Sequence, residues 1–314
     1  MTDLERQGTL MWSLVTCSSD TDAPKGSADS FVAFAMDDGT YWTAAEVAPF
    51  SHVGQMVAQW EVLEPSLRRA DPTAGSQVNP ERVVAPLPQP GKLICAGANY
   101  RDHLREMGIA EVPPTMEPFF FLLPSTSISG PGDQVTIPAD PAAKVDWEAE
   151  LGVIIGVPAR NVPPGRALDL VAGYTVVNDI SSRGRHRRPD PLAPPFAFDW
   201  LSSKGEDGFT PIGPGLRPAW FIDDPQKLSI RLWRNDILEQ DGTTADMIFN
   251  VAQLVSAASE RMTLQPGDVI ATGTPAGVGA GKERFLADGD SIRVEIAGVG
   301  ALVNGISVRS AVLA

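Results

Sequence analysis

Cysteine is nearly absent from this 314-residue chain: Cys17 and Cys95 are the two, and they imply neither a disulfide framework nor a cysteine-based zinc site. Histidine is scarce too, with His52, His103 and His186. Basic residues fall short of acidic ones, 25 against 39, which leaves a formal net charge of -14. That balance argues against nucleic acid or an anionic membrane as a general partner, although a small anionic substrate answers to local fields. No apolar run approaches transmembrane length, and Met1-Thr-Asp-Leu-Glu-Arg-Gln lacks the basic start of a signal peptide. A soluble cytoplasmic protein is expected.

What the chain does have is turn formers, 28 prolines and 29 glycines, together with 43% hydrophobic residues. Many short strands around one large core or two domains follow from that mixture. Residues 1–85 read as a small α/β accessory unit, with strands near 11–17 and 31–43, an Asp37-Asp38-Gly39 turn, and a helical pattern over 53–69. Residues 70–83 are polar and suit a connector. The larger region, 86–314, alternates strand-like runs at 92–96, 145–155, 173–178, 228–234, 268–272 and 291–296 with turn signals. One clear helical pattern spans 243–257, where Met247, Val251, Leu254 and Val255 mark an apolar face. The fold class is mostly β with α (α+β).

The most informative stretch is Val145-Asp-Trp-Glu-Ala-Glu-Leu-Gly-Val-Ile-Ile-Gly156. On a strand, Glu148 and Glu150 point one way and Leu151, Val153 and Ile155 the other. Two carboxylates on one face call for a counter-charge, and a divalent cation that favours oxygen ligands, Mg²⁺, Mn²⁺ or Ca²⁺, is a natural one. A solvated strand face explains the same pair. Gly173-Tyr-Thr-Val-Val-Asn-Asp179 reads as a buried strand ending in an acid, which serves either chemistry or the next turn. Lys204, between Trp200 and a Gly/Pro-rich turn, is on its own terms a surface residue. His103 and Glu106 are one helical turn apart and share a side.

Five motifs then occur in a recognisable order: Asn99-Tyr-Arg-Asp-His103-Leu-Arg-Glu106, Val145-Asp-Trp-Glu-Ala-Glu150-Leu, Gly173-Tyr-Thr-Val-Val-Asn-Asp179, Trp200-x-x-x-Lys204-x-x-Asp207-x-Phe209-x-Pro211 and Thr272-Gly-Thr-Pro-Ala-Gly277. With them the chain resembles the fumarylacetoacetate hydrolase family over roughly residues 92–306, in particular its acylpyruvase and 2-hydroxyhepta-2,4-diene-1,7-dioate isomerase branch. The resemblance implies a mixed β-roll catalytic domain and a homodimer. It makes Glu148, Glu150 and Asp179 the ligands of Mg²⁺ or Mn²⁺, with Ca²⁺ also acceptable, leaving room for a chelating 2-oxo acid. It makes His103 the base that activates water, oriented by Glu106, and Lys204 an electrostatic aid to substrate. Gly273 would offer a backbone N–H and Thr274 a hydroxyl to the substrate. Nucleotide motifs fail on the same glycine-rich run, because Ala276 and Glu283 stand where a P-loop needs Gly and Ser or Thr.

Two departures put substrate identity in question. Leu123 precedes Pro124 where many relatives have lysine, and Gly184 and His186 follow Arg183 where relatives often have Asp and Gln. The segment Arg183-Gly-Arg-His-Arg-Arg188 forms either a local trap for a dicarboxylic substrate or a solvated or subunit-contacting loop. Arg183 and His186 are its candidate substrate-binding residues, with Phe196 and Phe198 available to cover the site. His52 reads as structural and Cys95 as core. The expected activity is metal-dependent hydrolysis of a C–C bond in an acylpyruvate-like or β-diketo acid. A lyase or isomerase (a 2-oxo acid decarboxylase, sugar-acid dehydratase or hydroxy-dienedioate isomerase) is the alternative, and a repurposed binding protein a more distant one.

Overall fold

The computed structural model describes residues 10–20 and 30–309. The opening segment 1–7, read above for a signal peptide, lies outside the described residues. The architecture is mixed α+β, as expected. Its largest unit is a twelve-stranded sheet. Along its main path run Ser76–Val78, Tyr41–Thr43, Ser30–Met36 and Trp12–Ser18, then Thr210–Pro218, Val171–Asn178, Ala149–Ile155, Val269–Ala271, Leu93–Gly97 and Phe119–Leu123. The N-terminal strands therefore extend the same sheet that carries the larger region, joined at Leu14 opposite Leu216.

Ala149–Ile155 lies inside that sheet, antiparallel to Val171–Asn178 on one side and Val269–Ala271 on the other. All seven of its residues are buried, and apart from Glu150 they are apolar, as suits a strand covered on both faces. Its two faces feed two cores. Leu151, Val153 and Ile155 pack towards the five-stranded sheet, against residues such as Ile230, Val294 and Leu302. Ile154 joins Trp12, Phe34, Met56 and Trp60 in a second core beneath the N-terminal strands.

Local chemistry explains where the elements depart from the sequence expectation. The helix expected over 243–257 starts at Val251 and runs to Arg261, because Asn250 forms a reciprocal capping box with Gln253. Residues 244–246 make a separate 3₁₀ turn, capped by the Thr243 side chain. The helical region 53–69 is two helices, Val53–Val57 and Trp60–Leu67, separated where Gln59 leaves helical geometry. Within 70–83, expected as a connector, Ser76–Val78 and the start of Arg82–Val84 are short strands held by pairing to Tyr41–Thr43 and Trp12–Ser18. Three-residue strands are too short to show a period.

Both cysteines are buried. Burial raises the Cys17 thiol to about 12 and pushes Cys95 well above its ordinary value, with Asp179 and Glu150 adding to the effect. Thiolate, the reactive form, is therefore scarce. Neither cysteine is expected to react with a thiol reagent in the native protein, whereas both react in denaturant. Rapid native labelling of Cys95 would contradict its place in the core.

Candidate functional site

The strand register assembles an acidic cluster. Ala149 pairs with Asn178, so antiparallel geometry sets Glu148 opposite Asp179, and Asp179 N–H donates to Glu148 O at 2.9 Å. The run 145–155 is not one strand: Val145–Asp146 pairs separately with Ser181–Ser182, and Trp147 and Glu148 form the break before Ala149. The break is fixed by Trp147, fully buried and donating Nε1–H to Gly277 O, and by Glu148 N–H donating to Asn178 Oδ1. Glu148, Glu150 and Asp179 are all buried and bring one ligand atom each within 4.8 Å of one another.

Two cations enter the cluster. Lys204, 2% exposed, donates through Nζ to Glu148 Oε2 at 2.9 Å and Asp179 Oδ2 at 2.7 Å. It is presented by the short helix Trp200–Lys204, whose start is capped by Asp199 accepting from Ser202 N–H. Arg183 donates through Nε to Asp146 Oδ1 at 2.7 Å and through Nη2 to Glu148 Oε1 at 2.5 Å. Asp146 is thus a fourth buried carboxylate. Four ionised carboxylates would exceed one lysine and one arginine by two negative charges, and Glu150 is the one that meets neither cation.

The titration of these groups reflects that imbalance. Burial alone would raise Glu148, but Lys204 and Arg183 outweigh it and hold it at about 2. Asp179 and Asp146 are raised to about 6 by burial, with the charge of Glu148 adding to it. Glu150, whose Oε2 accepts only the Gly273 N–H at 2.8 Å among its hydrogen bonds, is pushed well above the carboxylate range by burial and then by Asp179 and Glu148. Asp179 Oδ1 is buried with no hydrogen-bond partner. An all-oxygen donor set, an unpartnered carboxylate oxygen and an excess of carboxylates over cations fit a divalent cation of the Mg²⁺ or Mn²⁺ type. Glu148, Glu150 and Asp179 would hold it.

The second half of the site is the helix Arg101–Glu106. Asn99 ties its start to neighbouring loops, donating Nδ2–H to Thr272 O and Phe249 O and accepting from Phe249 N–H. His103 Nδ1 lies 2.9 Å from Glu106 Oε2. Glu106 Oε1 accepts from Gly277 N–H at 3.0 Å, and Asp102 Oδ2 accepts from Ala276 N–H at 3.1 Å. Burial would raise Glu106, but the His103 and Gly277 hydrogen bonds hold it below its ordinary value. Gly281 permits this docking: a Cβ there would lie 2.5 Å from Glu106 Oε1.

All ten residues singled out from the sequence line one cavity of about 320 Å³. Some have partners that were not expected. The Gly273 N–H is taken by Glu150, and the Thr274 hydroxyl donates to Ala149 O and accepts from Gln240 Nε2. The arginine segment is largely neutralised by acids from other segments: besides Arg183, Arg185 pairs with Glu206 and Arg188 with Asp199. His186 reaches the cavity, lowered in pKa by burial and then by Arg183 and Lys204. Phe198 packs beside it, although Phe198 and Phe196 are both exposed. Leu123 is core. Asp146 and Gln240 were not anticipated. Asp146 continues the alternation of 148 and 150 by one more step and was visible in that sense. Gln240 sits in no motif.

The profile described as fumarylacetoacetate (FAA) hydrolase C-terminal matches residues 92–307. A protein of Burkholderia cenocepacia (strain HI2424), bearing only a provisional hydrolase name, is 44% identical over 238 residues, 74% of this chain and 80% of that protein. A maleylpyruvate hydrolase from Sphingobium sp. SYK-6, solved in complex with manganese(II) ion and pyruvate, is similar with a TM-score of 0.73 and 28% identity, over 94% of this chain and 100% of that one. A 2-hydroxyhepta-2,4-diene-1,7-dioate isomerase from Mycobacterium marinum gives 0.65 and 27% over 96% and 100%.

Saturating metal-free protein with Mn²⁺ should raise its thermal midpoint by several degrees, since a ligand at 100 times its Kd contributes about 2.7 kcal/mol. Glu150→Gln should abolish that rise without lowering the midpoint of the metal-free protein, because burial and its acidic neighbours already push Glu150 towards its neutral form there, which the amide mimics. A Glu150→Gln protein that still responds fully to Mn²⁺ would refute the assignment of this ligand.

Proposed function

The chain belongs to the fumarylacetoacetate hydrolase family, and from that premise we propose that it is a metal-dependent hydrolase cleaving a C–C bond in an acylpyruvate-like or other β-diketo acid. The observation that carries this reading is the hydrogen-bonded His103–Glu106 pair in the same cavity as the carboxylate cluster. A site that needs only to stabilise an oxo acid has no use for an oriented imidazole. A site that must deliver water does.

When bound, the cation would act as a Lewis acid on the oxo-acid head of the substrate. The residues of the chain do the rest. Glu106 accepts a hydrogen bond from Nδ1–H of His103, which leaves Nε2 as the basic nitrogen for water. As water adds to the distal carbonyl carbon, His103 takes one proton. The bond between that carbon and the methylene then breaks, and its electron pair stays on the methylene carbon, which is protonated to the methyl of pyruvate. The other product is a carboxylic acid. Lys204, held in the cluster, supplies fixed positive charge where negative charge gathers. Asn99 and Gly281 keep the His103 helix docked.

The solved hydrolase with manganese and pyruvate supports this reading. The isomerase among the structural neighbours favours a second one, in which the same head group is bound and no water is added. On the leading reading the enzyme is a cytoplasmic homodimer whose catalytic region, 86–314, carries an accessory unit, 1–85.

With Mg²⁺ or Mn²⁺, acylpyruvates should lose their enol absorbance and yield pyruvate and a carboxylic acid in equal amounts, and a chelator should stop the reaction. His103→Ala should lower kcat by about 10²–10⁴-fold, the usual scale of general base catalysis, with a smaller effect on KM. Oxaloacetate decarboxylation or dienoate isomerisation that survives His103→Ala, with acylpyruvates untouched, would replace the hydrolase reading.

A further inference from the structure

The acidic cluster accounts for one end of the cavity, and the rest of its lining has a different character. Phe121, Trp200 and His186 all line it. Phe121 and Trp200 are stacked, with centroids 4.6 Å apart and planes at 21°, and the His186 ring lies 4.3 Å from Trp200. Phe119 and Phe198 back this wall, at 5.5 Å from Trp200 and 5.3 Å from His186. The wall begins where the cluster ends, because Lys204 Nζ sits 5.8 Å from the Phe121 ring centre. Ala98, Met107, Val278 and Ala280 supply small or apolar surface to the same cavity.

Free positive charge is missing from this wall among the described residues. The cavity's two cations, Lys204 and Arg183, are bound to Glu148, Asp179 and Asp146. Arg185 and Arg188 are paired elsewhere, and with Arg187 they line a separate surface depression. A second carboxylate at the far end of a substrate would lose its hydration against aromatic rings and gain no counter-ion. A flat uncharged ring would stack on Phe121 and Trp200 in offset or edge-on geometry. His186 Nε2, buried without a partner, suits an uncharged polar substituent on such a ring. A cavity of about 320 Å³ is at the small end of ligand pockets (about 300–1,000 Å³), which favours a single ring.

Building on the oxo-acid reading above, we propose that the preferred substrate carries an aromatic acyl group, an aroylpyruvate, and that Phe121 and Trp200 select it over dicarboxylic acylpyruvates.

The test uses three uncleavable oxo acids and the Mn²⁺-loaded full chain, with affinity measured by calorimetry. Pyruvate reports the head-group site alone, 4-phenyl-2-oxobutanoate adds a ring, and 2-oxoadipate adds a distal carboxylate. The ring compound is expected to bind about tenfold tighter than 2-oxoadipate, as ring stacking plus apolar burial allows. Trp200→Ala should erase most of that difference while the far-ultraviolet circular dichroism spectrum is retained. Should that variant fail to fold, Phe121→Leu carries the same expectation. Pyruvate binding with 2-oxoadipate equal to or tighter than the ring compound overturns the aromatic proposal and leaves the hydrolase reading standing. Failure of all three to bind overturns both.

Discussion

Buried charge that the protein does not neutralise by itself is the constraint on which the site depends. Asp146, Glu148, Glu150 and Asp179 are driven together by strand pairing and by the break at Trp147, in surroundings where an unpaired charge is costly. Lys204 and Arg183 balance two of the four. The remainder is expressed in the upward shift of Asp179, Asp146 and Glu150 and in the unpartnered Asp179 Oδ1. A fold would relieve this by substituting an amide, unless the charge were needed to hold a cation. The placement of Lys204 follows from the same demand: buried lysine is tolerated here because two carboxylates face it.

Around the cluster, rigid elements hold the chemistry in place. The central strand buries both faces, so its end has little freedom. The His103 helix is short, yet Asn99, Asp102 and Glu106 each bond to backbone of other segments. Orientation thus comes from tertiary hydrogen bonds rather than from the helix itself, which is too short to stand alone. The same loop, 272–281, meets the acid cluster through Gly273 and the histidine helix through Gly277, and so ties the two halves of the site together.

Much of this was legible in the sequence where a side chain's role is set by local pattern. The alternation of Ser291–Ile296 gave that strand with its observed bounds, and the five ordered motifs contained His103, Glu106, Glu148, Glu150, Asp179, Lys204, Gly273 and Thr274, which meet in the cavity. What escaped depends on distant partners. The charge of residues 183–188 left an anion trap and a solvated or subunit-contacting loop both open, and the carboxylates that pair with Arg183, Arg185 and Arg188 are Asp146, Glu148, Glu206 and Asp199. The sequence does not show which acid meets which arginine. Gln240 is similar: it bonds to Ala149, Thr274 and Pro275 from another sheet, and no local pattern marks it. The aromatic wall joins Phe121 to Trp200 across 79 positions of chain, a pairing visible only after folding.

The most direct measurement of the central claim is a Mn²⁺ titration of metal-free protein followed by electron paramagnetic resonance, with pyruvate then added to the bound form. The account predicts a single tight ion per chain, lost on Glu148→Gln, whose signal changes when pyruvate enters the same coordination sphere. A protein that binds no ion, or whose bound ion ignores pyruvate, would contradict it.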